Sequence, residues 1–284
     1  MVTMTKKGLR KASSFLVRRR FAVQTLFLAV WLAPLRLFTV CAPVFHCYAC
    51  PLASLACPIG ALAQFSALHV VPLIAIGTLL VVGALLGAFI CGWVCPFGWL
   101  QDLTAKLLIR KLTLPRWTTN FRYVVLVGLV LLVPYFLGEK HPLFICRVCP
   151  AGALEGAMPQ TVKTAVESGV LSLPSMTKLI ILGAFLVTIF FIYRPWCTLL
   201  CPLGAIFGLF NRVSAFFLRF KPALCLDCSL CHTICHYAVK PDERAADPRC
   251  TRCLDCTRCR ALTFTNVFER GNQAAEPPDQ APTE

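Results

Sequence analysis

One phrase, Cys-Pro-x-Gly, occurs four times in this chain: CPIGAL from Cys57, CPFGWL from Cys95, CPAGAL from Cys149 and CPLGAI from Cys201. A residue before proline is pushed to extended geometry, and proline suits the first position of a helix. Cys57, Cys95, Cys149 and Cys201 are therefore predicted to cap helices. Their thiolates would sit at helix N-termini, where free N–H groups and the helix dipole favour an anionic site. The glycine after the proline lets backbone approach a bulky group. A plain loop-to-helix turn explains the proline and the glycine, but not cysteine at all four positions.

Four apolar runs alternate with the phrase, at 21–40, 66–90, 123–137 and 179–193. A bilayer core of ~30 Å takes ~20 helical residues, so each run is a candidate span. Hydrophobic residues make up 57% and charged residues 14%. A soluble domain is roughly a quarter charged, so composition points to the membrane. The net charge of +15 fits cytoplasmic loops and anionic lipid. Nucleic-acid binding is a poor second reading of that charge, because no basic stretch is interleaved with base-stacking aromatics on a soluble module. Arg36 reads as snorkelling from the end of the first run.

Basic residues crowd the segment before residue 21, the loop with Lys106, Arg110, Lys111 and Arg116, and the segment from Arg194 to Lys221; none lies in 41–65. The positive-inside rule then puts both termini in the cytoplasm of a multi-pass protein of a bacterial cytoplasmic membrane. No cleavage site follows the first run, which is expected to stay as a helix. The expected fold is an all-α membrane protein of four transmembrane helices in two parallel repeats, about 21–112 and 121–218. A basic segment, 1–20, precedes it. A small ferredoxin-like domain, 219–268, and a disordered tail, 269–284, follow.

The chain holds 18 cysteines, and their spacing separates metal ligation from disulfides. On the inner face, Cys91 and Cys95, and Cys197 and Cys201, form two C-x-x-x-C-P pairs. The repeat would gather four thiolates, a set suited to zinc or a [4Fe–4S] cluster. Past the last run, Cys225, Cys228, Cys231 and Cys235 form C-x2-C-x2-C-x3-C, the bacterial ferredoxin run. A second run holds Cys250, Cys253, Cys256 and Cys259, with its last cysteine one residue closer. The crossed ferredoxin assignment gives Cys225, Cys228, Cys231 and Cys259 to one cluster. It gives Cys250, Cys253, Cys256 and Cys235 to the other. CSLCH also reads as a haem attachment site, but it lies inside the longer run. A zinc ribbon is the better rival.

The outer loops hold Cys41, Cys47, Cys50, Cys57, Cys146 and Cys149. Two readings stay open there. Six cysteines outside a membrane can form three disulfides. Alternatively Cys57, Cys146, Cys149 and Cys50, with Cys47 as the substitute, hold a further cluster. His46, His69 and His141 lie near this face and could serve quinol proton transfer or be interfacial polar residues.

Together, the paired C-x-x-x-C-P motifs and the ferredoxin runs make the chain resemble the ferredoxin-type NapH/MauN group and the membrane part of NosR, over roughly residues 15–265. The resemblance implies quinol dehydrogenases or electron-transfer partners of reductases. It carries over to Cys91, Cys95, Cys197, Cys201 and the eight tail cysteines. The expectation is an iron–sulfur electron carrier drawing on quinol or a cytoplasmic donor and passing electrons to a partner oxidoreductase. The partners expected are membrane lipid, a redox protein and the quinone pool. Arg219, Lys221, Arg249, Arg252, Arg258 and Arg260 make the tail basic enough to attract an acidic partner. The alternatives are a maturation factor that reduces another enzyme's metal, and a zinc-stabilised scaffold.

Overall fold

The computed structural model describes residues 17, 19–33, 37–51, 53–105, 112, 114–169, 174–226, 228–259 and 261–267. Arg36, Lys106, Arg110, Lys111, Arg260, most of the N-terminal basic residues and the tail past 267 lie outside them. The fold is mostly helical, with two small two-stranded sheets.

Each apolar run contains a helix, but three of the four are short. Arg20–Trp31 has 12 residues, Leu73–Leu86 has 14 and Met176–Thr188 has 13. At 1.5 Å per residue these span about 18–21 Å. Among the described residues, the helix Trp117–Leu137, with 21 residues and a mean hydropathy of 1.8, is the one long and apolar enough to cross a membrane by itself. The first run does not stay helical to its end. Its helix stops at Trp31, and β1 (Leu37–Cys41) pairs in parallel with β2 (Leu55–Ala56). The second run is broken before Pro72, where His69 takes φ +56°. The four helices still present an apolar exterior. Leu73, Ile74, Val124, Phe136, Met176 and Ile180 are 63–75% exposed.

A Cys-Pro helix follows each apolar helix, in the same order in both halves. Pro58–Ala67 follows the first and Pro96–Ala105 the second. After the third, the chain re-enters helix beyond Cys149 and continues as Met158–Ser168; after the fourth comes Pro202–Phe210. The capping expectation holds in detail. Cys57, Cys149 and Cys201 are extended, with ψ of 123°, 122° and 112°. Gly152 and Gly204 donate their N–H groups to the thiols of Cys149 and Cys201, both at 3.4 Å.

The cysteine-rich C-terminal segment packs on the end of the helices that carries Trp93 and Asn211. β3 (Phe216–Phe220) pairs antiparallel with β4 (Leu262–Asn266). The Trp93 indole donates to Arg252 O at 3.0 Å, and Asn211 Nδ2 donates to Asp247 O and Cys250 O. Two glycines make this contact possible. A Cβ on Gly92 would lie 2.5 Å from Thr251 O, and one on Gly208 would lie 2.4 Å from Pro248 O. Gly208→Ala is therefore expected to cost about 1–3 kcal/mol, as overpacking does. Its tail should also become more sensitive to limited proteolysis. Unchanged melting and cleavage would show that the interface yields without strain.

Candidate metal centres

Cys91, Cys95, Cys197 and Cys201 line one enclosed cavity, together with Phe45, Arg122 and Cys250. The two C-x-x-x-C-P segments fold alike. In each, the second cysteine's N–H reaches back five residues, Cys95 to Ile90 O at 3.1 Å and Cys201 to Trp196 O at 2.8 Å. Wide helical turns of this kind recur at functional sites. The glycine of each phrase lies close to the first cysteine's carbonyl. A Cβ on Gly98 would sit 3.0 Å from Cys91 O, and one on Gly204 would sit 3.2 Å from Cys197 O.

Side chains from the opposite half brace this quartet. Gln101 Nε2 donates to Cys197 Sγ at 3.0 Å, while its Oε1 accepts from Trp196 N. Arg194, fully buried, donates from Nη1 to Cys91 O at 2.9 Å. Its other nitrogens grip Asp102, with Nε to Oδ1 at 2.7 Å. Arg20, Gln24 and Tyr193 also donate to Asp102, at 2.5, 2.9 and 2.8 Å. Burial alone would raise the Asp102 pKa, but the Arg194 and Arg20 guanidiniums hold it well below the usual carboxylate range.

A second cavity, of about 370 Å³, is lined by Cys47, Cys57, Cys146 and Cys149. Cys50 is not in its wall. The Cys50 N–H turns back to Cys47 O at 3.1 Å, and the chain after Pro51 runs into β2 rather than a helix. The phrase is incomplete there: Ala53 stands where the other copies have glycine. Glu155 holds the Cys47 segment by accepting from Cys47 N at 2.8 Å and pairing with His46 Nδ1 at 2.9 Å. His46 lines this cavity. His69 instead packs on the Tyr135 ring, and His141 accepts from Leu143 N.

Phe45 belongs to both walls. It is 3% exposed and packs against Phe97 and Trp196, with ring centroids 5.7 and 5.9 Å away. The Cys95 thiol lies 3.8 Å from its carbonyl oxygen. Phe45 is therefore a side chain common to the two cavities.

In the tail, the two cysteine runs wind the same way. Ser229 and Leu254, each just after a second cysteine, take φ of +53° and +64°. Each opens a short helix, Leu230–Ile234 or Asp255–Arg258. The first has five α-helical residues and the second four in a tighter 3-10 turn. At their respective rises both advance about 7.5–8 Å. The shorter spacing before Cys259 is thus absorbed by tighter winding. Cys235 and Cys259 both end extended, with ψ of 108° and 132°. Cys235 lies in electrostatic range of Cys250 and Cys256, and Cys259 in that of Cys231. This is the pairing that the crossed assignment expects. Cys228 is exposed and Cys225 half-buried. Burial pushes the Cys250 thiol up to about 11 and the Cys253 thiol to about 12. Such thiols keep their protons at neutral pH until a metal displaces them.

The basic tail surface is smaller than its composition suggests. Arg252 is 1% exposed and donates to three backbone carbonyls, and Arg249 is paired with Asp247 at 2.8 Å. Sequence reasoning missed Asp102, Arg122, Arg194, Gln101 and Phe45. The signal for the first and third was present: lone charges of opposite sign beside equivalent C-x-x-x-C-P segments. Nothing in the local sequence marks Phe45.

Two stretches, residues 68–115 and 175–222, match the 4Fe-4S binding domain family. Each takes in an apolar helix and the C-x-x-x-C-P helix after it. The Methanocaldococcus jannaschii protein MJ0750 is 34% identical over 207 residues, covering 68% of this chain and 78% of its own length. The chain belongs to the ferredoxin-type family of NapH and NosR. Within that family, Escherichia coli YccM, named for electron transport, is 28% identical over 75% of this chain and 59% of its own. Pseudomonas aeruginosa NosR, named a regulatory protein, is 32% identical over 58% of this chain but only 22% of its own length. No solved structure matches the chain. Four cysteines line each cavity, and four thiolates are a donor set of the kind that holds a [4Fe–4S] cluster.

Proposed function

We propose that this protein is a membrane-embedded iron–sulfur electron carrier with a succession of cysteine quartets from one face to the other. The single observation that carries the reading is the sharing of walls. Phe45 stands between the outer and inner quartets, and Cys250 of the tail lines the inner cavity. Bound [4Fe–4S] clusters supply one-electron carriers at these positions. Cys47, Cys57, Cys146 and Cys149 hold the outer one, and Cys91, Cys95, Cys197 and Cys201 the inner one. Cys250, Cys253, Cys256 and Cys235 hold the next, and Cys225, Cys228, Cys231 and Cys259 the last. What the chain contributes is position, dry surroundings and counter-charge.

The membrane setting rests on the long helix Trp117–Leu137 and on the apolar side chains that the four helices turn outward. A soluble monomer rarely leaves so much contiguous apolar surface uncovered. In this reading the four apolar helices are spans in two parallel repeats. The shorter ones are completed by their flanks or matched by local thinning. The donor is a quinol or a cytoplasmic redox protein, and the acceptor is a partner oxidoreductase.

Full-length protein purified in detergent is expected to contain roughly sixteen iron atoms per chain, four for each site. Dithionite reduction should give the paramagnetic resonance of several interacting clusters. Zinc as the sole metal, with no such signal, would end the reading. Adding a reduced quinol analogue then identifies the donor: cluster reduction supports quinol, and its absence supports a protein donor.

A further inference from the structure

The inner cavity contains a cation that no carboxylate balances. Arg122 is 4% exposed and lines the cavity of Cys91, Cys95, Cys197 and Cys201. Its Nε has no hydrogen-bond partner. Nη2 donates to its neighbour Tyr123 at 3.2 Å, and the guanidinium lies 5.0 Å from the centre of that ring. Neither contact carries negative charge. Among the described residues no Asp or Glu forms an ion pair with it. Of the other buried arginines nearby, Arg194 has Asp102 and Arg249 has Asp247, while Arg252 donates to three backbone carbonyls.

A buried, unpaired guanidinium is costly unless an anion joins it. The helix Pro202–Phe210 packs over the turn that carries it, and a Cβ on Gly208 would come within 3.2 Å of Nη2. The guanidinium is thus confined beside the thiols, within electrostatic range of Cys91.

We infer that Arg122 is the counter-ion of the inner iron–sulfur site, setting its reduction potential by charge. This rests on the proposal that the inner quartet binds a cluster. Four thiolates make such a group anionic in both redox states, and more so when reduced. A fixed positive charge therefore favours the reduced state, and removing it must lower the potential. Tyr123 and the aromatic wall keep water from screening the interaction.

The test is a redox titration of the full chain followed by paramagnetic resonance, with the inner signal assigned by its loss in Cys201→Ser. At the potential where the unaltered inner site is half reduced, Arg122→Met should lower its reduced-to-oxidised ratio about tenfold or more, or ~59 mV for one electron. Arg122→Lys should stay within about twofold, and the tail signals should not move. An unchanged inner midpoint in Arg122→Met, with its iron retained, overturns the inference. If Arg122→Met loses the inner iron, Arg122→Gln takes its place. Selective loss of inner iron in both, restored in Arg122→Lys, also supports the counter-ion. Loss of inner and tail iron alike in all three variants makes Arg122 a folding residue and overturns it. Absence of any inner signal from the unaltered protein defeats instead the reading on which this rests.

Discussion

Asp102→Asn is expected to lower the unfolding free energy by about 3–5 kcal/mol, the usual cost of breaking a buried ion pair from one side. Asp102 is the shared acceptor for Arg194, Arg20, Gln24 and Tyr193. These donors come from the first helix and from the loop after the fourth. Arg20 also reaches Asp255 of the tail at 3.0 Å. Loss of the one carboxylate leaves two guanidiniums without their common partner. Because Arg194 also holds the Cys91 carbonyl, inner-site iron should fall with stability. The pH dependence has a definite sign. Asp102's pKa is lowered in the fold, so its contribution is complete above the unfolded value of about 4. It is lost only as pH falls through the depressed folded value. The gap between variant and unaltered protein should therefore stay constant from neutral pH down to about 4 and shrink below it. Melting curves in detergent across that range decide it; a gap already closing near pH 6 would assign the effect to another group.

Cys47→Ser and Cys50→Ser should behave oppositely. The first is expected to remove roughly four irons and one paramagnetic signal, because Cys47 shares the outer cavity with Cys57, Cys146 and Cys149. The second should leave iron content unchanged. Retention of full iron by Cys47→Ser, or loss in Cys50→Ser, would replace the proposed quartet. Retention in both, with non-reducing mass analysis showing linked thiols, would restore the disulfide reading of the outer loops.

The contrast between these two cysteines shows what was legible beforehand. The complete phrase Cys-Pro-x-Gly foretold the capped geometry, because every element of it is local: proline fixes the turn, and glycine admits the carbonyl behind it. The same logic favoured Cys50 for its proline, yet Ala53 in place of glycine marks it as a different turn. Cys47 lines the cavity through a fold-back held by Glu155, more than one hundred residues away in sequence, and no local pattern encodes that. Helix lengths were misjudged for a similar reason. Hydropathy persists through 32–40, but the helix ends at Trp31, whose indole bonds Val94 O at 3.0 Å, and a strand follows. The matching turns of the two tail runs were readable because ferredoxin spacing is local. The tighter turn that accommodates Cys259 was not, because a change of helical pitch leaves little trace in composition.

The wall that the two cavities share at Phe45 has an energetic consequence. With clusters in both chambers, neighbours that share a buried aromatic wall would not store charge independently. An electron placed in one chamber raises the energy of an electron in the other. Two successive midpoints then belong to the pair, as coupled proton sites share macroscopic constants. The second electron is harder to load and easier to discharge, so the pair is suited to handing charge onward one electron at a time rather than holding two.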